Sequence, residues 1–99
     1  MYKSRFKNKD IDELYEAILK LESVEECYRF FEDLCTIKEV MDMSQRLKVA
    51  KMLQDKHPYH EIVEETKAST ATISRVNKSL MYGAEGYHLI FNKFNQKKK

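Results

Sequence analysis

One stretch restricts the possible folds more than any other: residues 59–80, YHEIVEETKASTATISRVNKSL. Ile62, Val63 and Thr66 stand at i, i+1 and i+4, which gives a short helix one inward face. Ile73 and Val76, three apart, give a second helix a face that points back onto the first. Between them Ala68 is small enough for two helices to cross closely, and Ser69 has the side chain of an N-cap. This is the spacing of a helix-turn-helix over about residues 59–80. One residue runs against it: Lys67 falls in the turn, where a positive φ would suit glycine better.

The inward pairs leave Ser69, Thr70, Ala71, Thr72, Ser74 and Arg75 on the outer side of the second helix. Lys78 follows along that helix, and His60 lies at the start of the first. Hydroxyl, methyl and guanidinium groups are those that reach base edges and phosphates when a helix enters a major groove. A capped helix N-terminus adds its dipole to the attraction for phosphate. These eight are the candidate DNA-binding residues. An ordinary helical hairpin with a hydrated outer face is the plainer alternative, but that face carries almost no acid.

Two glycines and one proline among 99 residues favour long helices and few turns, so the expected fold is all-α. The length suits a single domain. With 34% charged and 42% hydrophobic residues, the chain has the composition of a soluble globular protein. No apolar run approaches the ~18 residues of a membrane span. The first ten residues, MYKSRFKNKD, are basic with no apolar segment behind them, unlike a secretory signal. The expected compartment is the cytoplasm.

Residues 1–9 read as a flexible basic arm with Lys3, Arg5, Lys7 and Lys9. The domain itself is expected over residues 10–94. Asp10 is a cap candidate ahead of Ile11, Leu14, Tyr15, Ile18 and Leu21 at helical spacing. Ser23 and Glu26 form a capping box for a helix whose face is Val24, Cys27, Tyr28, Phe31, Leu34 and Cys35. These two helices hold more apolar surface than one chain of this size readily covers, and each fully buried Phe or Leu is worth about 1.5–3 kcal/mol. Dimerisation through them is therefore expected. Thr36 and Glu39 form another capping box, opening a long helix to about residue 56. Val40, Met43, Leu47 and Ala50 give it a stripe that Met41, Val49, Met52 and Leu53 broaden, the mark of a central helix packed from several sides. Arg46 lies at the stripe's edge, over a pocket or in an ion pair with Asp42. His57 and Pro58 end that helix, with Pro58 at the first position of the next. After a break at residues 82–86, residues 87–94 suggest a short closing helix, and residues 95–99 a basic tail.

Charge is distributed unevenly. Residues 10–35 carry nine acids against Lys20 and Arg29, while the arm, the second helix of the hairpin and the tail are basic. A polyanion could follow that basic footprint. Cys27 and Cys35 have no neighbouring Cys or His set, so no metal is expected and both are read as small buried hydrophobes. No nucleophile–base–acid set, phosphate-cradling glycine loop or paired carboxylates is evident, so the chain is not expected to be an enzyme and needs no cofactor.

With these residues in view, the pattern resembles the Trp repressor family, most closely its YerC/YecD-type members. The resemblance spans roughly residues 34–80 and rests on Leu34-Cys35-Thr36, on Arg46, and on ASTATISRVNKSL from Ala68 to Leu80. It implies an intertwined helical homodimer, the N-terminal helices of each chain wrapped around the other. Two recognition helices would then meet successive major grooves about one DNA turn apart. In tryptophan-binding members the indole lies between two arginines, and Arg46 and Arg75 stand at the matching positions. Thr36, Thr72 and Ser79 match other pocket residues, which completes a possible ligand pocket. Val76 stands where those members have glycine and puts an isopropyl group where the ring must approach the backbone. It counts against tryptophan as a corepressor. The loop before the hairpin is also about one residue shorter than in the family, a further departure in the groove approach.

The expected function is a sequence-specific transcriptional regulator, a repressor, acting as a homodimer on a palindromic operator in double-stranded DNA. The alternative is a helical protein-interaction module that uses the same fold without reading DNA. Retention of the purified chain on heparin or nonspecific DNA separates the two.

Overall fold

The computed structural model describes residues 2–97. It divides into two compact units, Met1–Ile37 and Lys38–Lys99. All regular structure among the described residues is helical: α1 (Lys9–Ile18), α2 (Val24–Leu34), α3 (Ile37–Gln54), α4 (Tyr59–Thr66), α5 (Thr70–Tyr82) and α6 (Gly86–Lys97).

In the first unit the cap of α1 is Asn8, not Asp10: its Oδ1 accepts from the Ile11 N–H at 2.8 Å. Asp10 and Asp12 instead occupy the first turn, where the positive end of the helix dipole favours carboxylates. Lys9 is thereby helical, and the end of the basic arm is tied down by an ion pair between Lys7 and Asp12. Ser23 caps α2 as expected, accepting from the Glu26 N–H at 3.1 Å. Glu26 returns its carboxylate to the N–H of Glu22 at 2.8 Å, one residue before the cap. Neither α1 nor α2 has a buried residue. Cys27 and Cys35 are accordingly half-buried and not the buried hydrophobes expected, and Cys35 is the C-cap of α2.

The second unit has a core. Val49 and Ala50 of α3 are fully buried with Ile62, Ala68, Ile73, Val76, Leu80 and Phe91. Only the C-terminal half of α3 is enclosed; Met43 and Leu47 remain exposed, so within one chain this helix is not packed from several sides. It ends in a Schellman motif, in which the N–H of His57 bonds the Met52 carbonyl and that of Lys56 the Leu53 carbonyl. Lys56 takes the left-handed conformation there, with φ 70°. Pro58 is the N-cap of α4 and not its first helical residue.

Lys67 follows α4 with φ 62° and ψ 13°, the left-handed geometry that its place in the turn suggested. A side chain there costs about 1–2 kcal/mol, partly offset because glycine loosens the unfolded chain by about 0.4–1 kcal/mol. Lys67→Gly is expected to raise stability by up to about 1 kcal/mol in urea unfolding. A fall in stability would contradict this account of the turn.

Gly83 ends α5, its N–H bonding the Ser79 carbonyl at 2.9 Å. A Cβ at that position would lie 2.4 Å from the same oxygen, which excludes other residues without a shift. Helix α6 runs through residues 95–97 in place of the expected start of the basic tail; residues 98 and 99 lie outside the described residues. Its His88 Nε2 donates to the Leu80 carbonyl at 2.9 Å, and Tyr87 stacks on the buried Phe91. Helix α6 thus braces the C-terminal end of α5.

Candidate nucleic-acid interface

Helix α5 begins where Ser69 Oγ accepts from the Thr72 N–H at 3.1 Å. The Ser69 hydroxyl also donates to Thr72 Oγ1 at 3.1 Å. Ile73, Val76 and Leu80 are buried, which fixes the roll of the helix. Ser69, Thr70, Ala71, Ser74, Arg75 and Lys78 are then left exposed. Thr72 is half-buried, so its hydroxyl faces the cap more than open solvent. The first turn of α5 holds no acid, unlike those of α1 and α2. Its dipole is therefore uncompensated at the end that carries the hydroxyls. His60, second residue of α4, is exposed, and the neighbouring imidazole of His57 faces Glu61 at 3.0 Å.

Beside this face lies a cavity of about 240 Å³ lined by Arg46, Thr72, Arg75, Val76, Ser79 and Tyr87. Four of the five candidate pocket residues come together here: Arg46 from α3 and Thr72, Arg75 and Ser79 from α5. The fifth, Thr36, is an exposed residue of the first unit. Asp42 pairs with Lys38 at 2.8 Å and not with Arg46, which leaves the Arg46 guanidinium at the cavity. Val76, only 3% exposed, forms part of the wall. Tyr87 was not anticipated. The sequence marks it only as the start of an apolar closing helix, and nothing local says that this helix returns to α3 and α5. A larger groove of about 580 Å³ lies between α3 and α6, with Leu47, Phe91 and Phe94 as its apolar part and Lys48 and Lys51 among its lining.

The sequence model of the Trp repressor protein matches residues 9–95. The chain belongs to the Trp repressor family. That is a family of DNA-binding regulators, and the all-helical fold is the TrpR-like one. The chain is 48% identical over 92 residues to the uncharacterized protein YerC of Bacillus subtilis (strain 168), covering 93% of this chain and 88% of that protein. The crystal structure of a TrpR-like protein from Eubacterium eligens ATCC 27750 superposes with a TM-score of 0.89 at 49% identity, over 92% of this chain and 94% of the other. That of a Trp repressor candidate from Staphylococcus aureus gives 0.88 at 49% identity, over 92% and 91%. Within this family the YerC-type relationship, expected over roughly residues 34–80, holds over nearly the whole chain. No described helix of this family member is long and apolar enough to cross a membrane.

Proposed function

We propose that this Trp repressor family member is a sequence-specific transcriptional repressor that binds a palindromic operator as a homodimer in the cytoplasm. The observation that carries the reading is the start of α5: exposed short hydroxyls and Arg75 on a helix rolled by three buried residues, with no acid in its first turn. Thr70, Ala71 and Ser74, all exposed, read bases, Ser69 and Thr72 order the capped N-terminus that faces phosphate, and Arg75, Lys78 and His60 hold phosphate or guanine edges.

Surface that one chain leaves uncovered supports the dimer. Tyr15, Leu19, Val24, Tyr28 and Leu34 in the first unit are each at least half exposed, as are Leu89 and Phe94 in the second. Exposed apolar surface on that scale marks an association site, and a second copy is the occupant a palindromic site demands. Sedimentation giving a monomer at micromolar concentration would remove this part of the reading. A small-molecule effector, if one acts, acts at the cavity between Arg46 and Arg75, where Val76 opposes tryptophan.

Selection from random duplex DNA, with and without amino acids, tests the whole. A single enriched two-fold sequence is expected, unaffected by tryptophan; no enrichment would leave the protein-interaction reading in its place. On the enriched site Thr70→Ala is expected to relax base preference at one position by about 1 kcal/mol, the lower end of the cost of one mismatched base pair. Lys78→Ala should weaken all sequences alike and lower the salt slope by about one. Equal effects of both changes on selected and random DNA would contradict this division of roles.

A further inference from the structure

The turn between α4 and α5 is tied by side chains that no base contact requires. Thr66, the last residue of α4, makes three hydrogen bonds at once. Its Oγ1 donates to the Ile62 carbonyl at 2.7 Å and accepts from the Ala68 N–H at 3.1 Å. Its own carbonyl accepts from Gln45 Nε2, on α3, at 3.0 Å. All three bonds are partly buried. Next to it Lys67 is left-handed and Ala68 is 2% exposed. At the end of α3 the corresponding turn closes with backbone bonds alone, from Lys56 and His57. After α4, Lys67 bonds the Val63 carbonyl, and the Ala68 N–H goes to a hydroxyl in place of a helix carbonyl.

We infer that Thr66 and Gln45 are positioning residues for the reading helix. Ala68 is followed directly by Ser69, the cap of α5. Fixing the Ala68 amide on Thr66, and the Thr66 carbonyl on α3, sets where α5 begins relative to the rest of its unit. A helix that reads bases must hold its first turn to a fraction of an ångström, because hydrogen bonds weaken steeply with distance and angle. Without the hydroxyl, the Ala68 N–H is a buried donor with no partner, and the turn relaxes to find one. The first turn of α5 is then free to shift while its core residues stay packed. This inference rests on the DNA-reading proposal above.

The test uses the full chain, the duplex enriched by selection, and a random duplex of the same length. Thr66→Val keeps the shape and removes the hydroxyl; Thr66→Ser restores it; Gln45→Leu removes only the tie to α3. Thr66→Val is expected to cut the preference for the selected over the random duplex about tenfold, the factor that one displaced base contact is worth. Binding to random duplex should stay within about twofold, since phosphate contacts supply it. Amide exchange at Ala68 should accelerate in the same variant, and Thr66→Ser should recover both properties. Should Thr66→Val fail to fold, Gln45→Leu carries the same comparison, with loss of preference expected and random binding kept. Unchanged preference in the folded variants, with the wild type selective, would overturn the positioning role alone. A wild type that selects no sequence would overturn the DNA reading and this inference with it, and amide exchange at Ala68 would still show whether the turn is tied as described.

Discussion

Raising the salt from about 50 to about 200 mM will weaken the complex with duplex DNA by roughly 10³-fold or more. Lys67, Arg75 and Lys78 are exposed on or beside α5, three cations per chain and hence six in the proposed dimer. Each neutralised phosphate releases condensed counterions, so log K falls against log salt with a slope of about −0.9 per contact. Six contacts lie at the lower end of the range that gives this loss, and Lys3 and Arg5 of the arm would steepen it. Lys7 contributes less because it already faces Asp12. Fluorescence anisotropy across a salt series measures the slope directly. A slope near zero would remove DNA as the partner.

Ile73→Ala will destabilise the second unit by about 2–5 kcal/mol, a large share of the ~5–15 kcal/mol that holds a domain folded. Ile73 is fully buried in the cluster with Ile62, Val49 and Val76. It is also one of the three residues that set which side of α5 faces outward. The deletion therefore removes transfer energy, leaves a cavity and loosens the roll of α5 together. Ile73→Val, which removes one methyl group, should cost about 0.5–1.5 kcal/mol. Urea unfolding followed by circular dichroism gives both values. A loss below about 1 kcal/mol for alanine would show that this position is not packed as described.

The two effects differ in how far the sequence foretold them. The helix-turn-helix was legible because its signals are local: Ile62 with Thr66, Ile73 with Val76, and Ser69 with the N–H of Thr72 are three or four positions apart. Over that distance, helix geometry alone decides who faces whom. The left-handed Lys67 was legible for the same reason. The cap of α1 is Asn8 and not the expected Asp10: both are good cap residues, and only the backbone chooses between them. The closing helix extends past the expected residue 94, which spacing does not signal because residues 95–97 are polar and carry no periodic apolar pattern.

What the sequence determined by itself is the all-helical character, the cap and inward pair of α5, and the family to which the chain belongs. Each follows from residues a turn or two apart, or from their order along the chain. Tertiary structure decided that Arg46 and Tyr87 meet Arg75 around one cavity, and that Gln45 reaches the Thr66 carbonyl across 21 positions. It also decided that Leu47 and Phe94 share a groove on the surface of a single chain. Such pairings depend on where separate helices come to rest against a common core, and no local spacing encodes that.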